Sequence, residues 1–84
     1  MNLKSWIIQW FLDNSNLSGK EIEENLDENY LIKGWIDSLK FISFINDVEN
    51  EFQISFSNDE FQNRKFATVN GLTKIIEDKI NDKL

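Results

Sequence analysis

The chain of 84 residues contains no cysteine, no histidine and no proline. Without cysteine it can form no disulfide and no thiolate zinc site, and it has no thiol of its own to hold a thioester. Without histidine it has neither a Ser-His triad nor an imidazole ligand for a metal ion. Any thioester chemistry would therefore need a group that is added to the chain.

Long hydrophobic runs are also missing. No apolar segment approaches the roughly 18 residues that span a bilayer, and the N-terminus lacks the basic start and small-residue cleavage site of a secretory signal. We therefore expect a cytoplasmic protein. At this length we expect one domain, residues 1–84, which buries roughly 60 to 65% of the surface that the unfolded chain exposes. The 13% aromatic content favours a folded chain.

Positive charge is scarce in the middle of the chain. From Ser18 to Glu60 there are eleven acidic residues against three lysines, whereas the two ends together carry a small positive excess. A nucleic-acid-binding protein would need a basic surface, so the charge balance argues against this function. The acidity either serves solubility or attracts a basic surface on a partner protein.

Apolar residues recur at helical spacing in four segments, and no segment alternates as a strand does. We predict a first helix from Leu3 to about Asp13 and a second after Asp37, with an apolar stripe from Phe41 to Phe52. A short helical turn is predicted around Asp59 to Arg64, and the last helix runs from Thr68, its expected N-cap, to about Asp82. The connection between the first two helices is unusually long, which suggests that it has a function of its own.

Two local patterns concern the last two helical segments. Asn70-Gly71 is a strong hairpin dipeptide in isolation, but its flanks follow helical spacing, so we assign both residues to the last helix. The short turn is predicted to have Ser57 or Asn58 as its cap. Phe61 is predicted to point inward from this turn. The sequence therefore predicts an all-α, four-helix bundle with a long first loop and a short third helix.

The segment Gly34-Trp35-Ile36-Asp37-Ser38-Leu39 places a serine hydroxyl at a helix start. The Asp37 carboxylate can accept hydrogen bonds from the free N–H groups of the first turn, so Asp37 is a good N-cap. Ser38 then occupies the first helical position, where an attached phosphate would be favoured. Read alone, the tripeptide is common and fits an ordinary capped helix with an uninvolved serine.

Other chemical readings of this segment fail. Lys40 lies two residues from Ser38, and side chains two apart on a helix do not face each other, which argues against a Ser-Lys catalytic pair. An EF-hand loop beginning at Asp27 would need glycine where Ile32 stands and glutamate where Ser38 stands. With no histidine, no cysteine and no evident carboxylate pair, we predict that the chain is not an enzyme and holds no metal.

Several segments together resemble the acyl carrier protein family, small helical proteins in which the serine of an Asp-Ser-Leu motif carries 4′-phosphopantetheine. Besides the motif itself, the resemblance involves the approach from Glu28 to Gly34, the segment from Val48 to Ile54, and Phe66-Ala67-Thr68-Val69 before the last helix. Each piece is weak alone, but their order and spacing are specific. The resemblance extends over nearly the whole chain and implies a bundle of acyl-carrier type.

The resemblance implies that Ser38 bears 4′-phosphopantetheine, on which acyl or aminoacyl groups are held as thioesters and moved between biosynthetic enzymes. Asp37 would help to position the modifying enzyme as well as cap the helix. The implied partners are a phosphopantetheinyl transferase, an adenylating or acyl-transfer loading enzyme, and a downstream synthase or transferase, each docking on a monomer. The docking residues expected around the second helix are Leu39, Ile42, Asp47 and Glu49.

Differences from the fatty-acid carriers favour a specialised pathway. Two residues separate Gly34 from Asp37, where fatty-acid carriers usually have one, and Lys40, Ser43 and Asn50 replace acidic residues. The stretch from Asp59 to Phe66 resembles stand-alone D-alanyl and peptidyl carriers. A short cargo could lie in a cleft lined by Phe44, Phe61 and Phe66. The alternative function is a helical protein–protein interaction module without a prosthetic group.

Overall fold

Helices account for most of the computed structural model, which describes residues 2–83. Three long helices carry the core, and two short helices and a 3-10 turn lie in the connections. No strand occurs within the described part of the chain, so the all-α prediction is confirmed. The elements are α1 (Leu3–Asn14), α2 (Gly19–Glu23), α3 (Ser38–Phe52), α4 (Asn58–Phe61), a 3-10 helix (Arg64–Ala67) and α5 (Val69–Lys83).

The four predicted helices are present within a few residues of their expected bounds. The difference lies in the long connection, where α2 forms a short helix that the sequence pattern did not reveal. Its single buried side chain is Ile22, and one apolar residue in five positions sets no recognisable period. The connection is thus anchored to the core instead of being an open loop.

Polar side chains begin the helices by accepting hydrogen bonds from the backbone of the first turn. Asp37 accepts from the Lys40 N–H at 2.8 Å, and Ser57 and Glu60 form a reciprocal capping box at α4. Thr68 accepts from the Gly71 N–H at 2.9 Å, which confirms it as the cap of α5. These bonds are local, which is why the sequence predicted the starts of α3, α4 and α5.

An aromatic cluster joins α1, the long connection and α3. The ring of Phe11 lies 5.2 Å from that of Phe44 and 5.1 Å from that of Tyr30, measured between centroids. All three side chains are fully buried. Burial of such large rings is the main source of stability in a domain of this size.

Tyr30 fastens the connection to the turn before α5. Its hydroxyl donates to the Phe66 carbonyl at 3.0 Å, and its backbone N–H donates to the Ala67 carbonyl at 2.9 Å. Burial raises the pKa of Tyr30 well above its ordinary value, since the phenolate would lose its hydration. The phenol therefore remains neutral and acts as a hydrogen-bond donor inside the core.

Glu60 and Lys79 form an ion pair between α4 and α5. The Lys79 ammonium lies 2.8 Å from Glu60 Oε1, and each side chain retains only 24% of its exposure. Desolvation of the carboxylate alone would raise the pKa of Glu60, but the hydrogen bonds from Lys79 and Ser57 outweigh it and hold the pKa below its ordinary value. The pair thus ties the short helix to the last one.

We expect Glu60→Gln to lower the free energy of unfolding by about 1 kcal/mol near pH 7. Because the folded-state pKa is depressed, the carboxylate's contribution is complete above about pH 4.5, the ordinary value, and is lost as the pH falls through the lower folded-state value. Urea titrations of both proteins at several pH values measure the difference. The exposed Glu77→Gln is the control, and an equal effect of both variants would contradict the assignment.

Candidate functional site

The residues before Ser38 fix the start of α3 on the core. Trp35 packs edge-on against Phe11, with the ring centroids 5.6 Å apart, and Ile36 is buried. Ahead of them, Gly34 has a φ of +74°. Its N–H donates to the Leu31 carbonyl at 3.1 Å, and the Trp35 N–H donates to the Tyr30 carbonyl at 3.0 Å. These two bonds are those of a Schellman turn, which needs the left-handed conformation that glycine adopts freely.

Ser38 itself is exposed at the first position of α3, directly after the Asp37 cap. No hydrogen bond to its hydroxyl occurs within residues 2–83. The helix that it begins is fifteen residues long, so the N–H groups and the dipole of its first turn favour negative charge there. The hydroxyl is therefore accessible, and a phosphodiester formed on it would lie in a favourable electrostatic environment.

The four residues expected to dock partners have different environments. Leu39 and Ile42 are exposed, at 77% and 57%. Asp47 accepts a hydrogen bond from the Trp10 indole N–H at 2.8 Å, and Glu49 Oε2 accepts one from the Phe56 N–H at 2.9 Å. The two apolar side chains are thus free at the surface, whereas the two carboxylates bind groups of the same chain.

An open groove of about 270 Å³ lies between α3 and α4. Phe61 lines it and remains 41% exposed, so the expectation that Phe61 points inward is only partly met, although its ring packs 4.9 Å from that of Phe66. Phe44 and Phe66 are buried and do not line the groove, which differs from the cleft expected from the sequence. The other lining residues are Phe41, Ile42, Ile45, Asn46 and Glu49.

The structure places Phe61 at the surface, whereas the sequence predicted that its side chain points inward. A helical period that indicates a buried face needs more than one turn, and α4 has only four residues, none of them buried. A lone aromatic residue next to a capping box carries no signal of the direction in which it points. Its place at the groove follows from the packing of α4 beside α3.

Across residues 2–83 no group of three or more acidic side chains is arranged to hold a metal ion. None of the helices in that part of the chain has the length and apolarity needed to cross a bilayer.

Comparison with known proteins gives one relative of similar length. The D-alanyl carrier protein of Leuconostoc mesenteroides subsp. mesenteroides is 25% identical to this chain over 80 residues, which are 95% of this chain and 99% of the relative. No family profile matches the chain, and no match to a solved structure was found. The likeness covers nearly all of both proteins and supports, at the level of the family, a small carrier protein, which is not itself an enzyme.

Proposed function

We propose that this chain bears 4′-phosphopantetheine on Ser38 and carries acyl or aminoacyl groups between biosynthetic enzymes in the cytoplasm. The observation that supports this most directly is an exposed serine at the first position of α3, next to a capping aspartate. It occurs in a chain that is similar over almost its whole length to a carrier protein.

The residues around Ser38 fit such a group. The hydroxyl is exposed, so a phosphopantetheinyl transferase can reach it, and the start of α3 favours the negative charge of a phosphodiester. In the transfer, Ser38 Oγ forms a bond to phosphorus of coenzyme A, the phosphoanhydride bond breaks, adenosine bisphosphate leaves, and the transferase takes the hydroxyl proton. Asp37 holds the first turn in place during this step through its bond to the Lys40 N–H.

The attached group supplies a flexible arm that ends in a thiol, which this cysteine-free chain otherwise lacks. The chain itself positions the arm and offers the surface on which enzymes dock. Carrier function requires binding that is modest and rapidly reversible, because one arm serves several enzymes in turn. The partners proposed are the transferase, a loading enzyme and a downstream synthase or transferase.

Arm transfer tests the proposal directly. The full chain is incubated with coenzyme A and a phosphopantetheinyl transferase of broad specificity, and its intact mass is measured. We expect the mass to rise by one phosphopantetheine, and fragment masses to locate the addition on Ser38. No addition, or addition at another residue, would overturn the proposal and favour the interaction module without a prosthetic group.

The cargo can be screened once the arm is attached. The name of the Leuconostoc relative makes D-alanine the first group to test, followed by other amino acids and short fatty acids. Each is offered with ATP and a set of adenylating enzymes, and the mass of the loaded chain identifies the group accepted.

A further inference from the structure

A cleft of about 430 Å³ lies where the long connection meets the 3-10 helix and the start of α5. Two backbone hydrogen bonds hold these segments together. The Asn70 N–H donates to the Leu26 carbonyl at 3.1 Å, and the Tyr30 N–H donates to the Ala67 carbonyl at 2.9 Å. No residue that lines the cleft belongs to α3 or α4, so this cleft is distinct from the serine site and from the groove beside it.

Positive charge is concentrated around this cleft. The exposed side chains of Arg64, Lys65 and Lys74 all line it, although the chain as a whole has a net charge of −6. Within residues 2–83, Arg64 and Lys65 form no ion pair. Lys74 contacts Asp78 at 3.2 Å, but both side chains are exposed and such a pair contributes little. The three cations therefore favour an anion in the cleft.

Two hydrogen-bond acceptors accompany the cations. The side chains of Asp27 and Asn70 also line the cleft, and Asn70 Nδ2 donates to Asp27 Oδ1 at 2.9 Å. The other atom of the amide, Asn70 Oδ1, is buried and accepts no hydrogen bond within residues 2–83. A buried acceptor without a donor is unfavourable. The cleft therefore favours a ligand that combines negative charge with an O–H group.

We propose that this cleft binds a protonated phosphate group, that of inorganic phosphate or of a phosphate monoester in its monoanionic form. Arg64, Lys65 and Lys74 attract the negative oxygens, and the P–OH group donates to Asn70 Oδ1 or to Asp27. Binding is reversible and forms no covalent bond. The proposal is independent of the carrier function, because no residue of α3 takes part in it.

Sulfate provides a sharp comparison for the role of the two acceptors. Near pH 7 it is about the size of phosphate and carries at least as much negative charge, but it has no hydrogen to donate. Attraction by the three cations alone would therefore favour sulfate or leave the two anions equal. A preference for phosphate requires an acceptor in the site.

Titration of the isotope-labelled full chain with inorganic phosphate near pH 7, followed through the chemical shifts of its backbone amides, tests the proposal. We expect saturable shifts around residue 27 and residues 64–74, with Kd of about 1 mM or less in about 50 mM salt. Sulfate at the same ionic strength should bind about fivefold more weakly or less well still, because it leaves the acceptors without a donor.

Single-charge variants locate the site. Arg64→Gln and Lys65→Gln should each raise Kd for phosphate by about threefold or more. Lys33→Gln is the matched control, because Lys33 is also exposed but lies outside the cleft. Its Kd should equal that of the unsubstituted chain. Thermal unfolding of each variant without phosphate checks that the fold is intact.

Vesicles distinguish a lipid headgroup from a soluble ligand as the source of the phosphate. Cosedimentation with phosphatidylcholine vesicles that contain phosphatidic acid, reversed by inorganic phosphate, would assign the cleft to a headgroup. Phosphate-induced shifts without cosedimentation would assign it to a soluble phosphate. Equal affinity for sulfate and phosphate would overturn the proposal, and so would shifts centred on the start of α3 or an equal effect of Lys33→Gln and Arg64→Gln.

Discussion

The Ser38→Ala variant is expected to gain no mass when it is incubated with coenzyme A and a transferase. The substitution removes the only oxygen at the start of α3 that the proposed transfer uses. No hydrogen bond to that hydroxyl is lost within residues 2–83, and alanine is favourable in a helix, so the free energy of unfolding should change by less than about 0.5 kcal/mol. Intact mass and circular dichroism of the same sample measure the two effects.

Ser43→Ala is the matched control for this experiment. Ser43 is also an exposed serine on α3, five residues further along, and its hydroxyl is not at a helix start. This variant should be modified at the rate of the unsubstituted chain. Modification that survives Ser38→Ala, or that is lost equally in both variants, would contradict the assignment of Ser38.

Gly71→Ala is expected to give the largest loss of stability. A Cβ atom at position 71 would overlap the Lys65 carbonyl oxygen and lie 2.7 Å from the Lys65 carbonyl carbon. These are backbone atoms, so no side-chain rotation relieves the clash, and the 3-10 turn would have to move away from α5. That turn carries the Phe66 and Ala67 carbonyls that bind Tyr30, so the displacement reaches the core.

The expected cost of Gly71→Ala is about 2 to 3 kcal/mol after the helix-propensity gain of alanine is included. In a domain of this size, this lowers Tm by roughly 10 to 20 °C. Gly19→Ala is the control, because a Cβ there meets no atom within 4 Å. Gly19→Ala should leave Tm unchanged or slightly higher. A Gly71→Ala variant with the same Tm as Gly19→Ala would contradict the close packing described.

Local features could be predicted from the sequence with good accuracy. The cap at Asp37, the cap of α4, for which Ser57 or Asn58 was predicted, and the apolar stripe of α3 each depend on residues within four or five positions of one another. Thr68 likewise caps α5 through a bond to a residue three positions on. The predicted bounds of these helices were therefore close to those observed.

The dipeptide Asn70-Gly71 is a pattern that fits either a hairpin turn or a helix. In isolation the pair is typical of a hairpin turn, but here both residues lie in the first turn of α5. The glycine is required for a different reason, which is the approach of the Lys65 backbone. A sequence pattern can indicate that a glycine is needed without indicating which contact needs it.

The acidic residues also show that a sequence gives the charges of a segment but not the contacts that its side chains make. Their number in the middle of the chain left two interpretations open, solubility or attraction of a basic partner, because a sequence shows the charges but not the groups that each carboxylate contacts. In the fold, Asp47 and Glu49 accept hydrogen bonds from Trp10 and Phe56. The partner of Asp47 lies 37 residues away in sequence, so no local pattern could identify it.

The sequence by itself determined that Ser38 begins a long helix behind an aspartate cap, since capping and helical periodicity act over a single turn. Only the tertiary structure decided which side chains near that serine are free and which are bound within the chain. Burial of Tyr30 depends on its contact with Phe66, 36 residues away, and exposure of Phe61 depends on how α4 packs beside α3. Such contacts form only when the whole core assembles, and they determine the surface that a partner enzyme can reach.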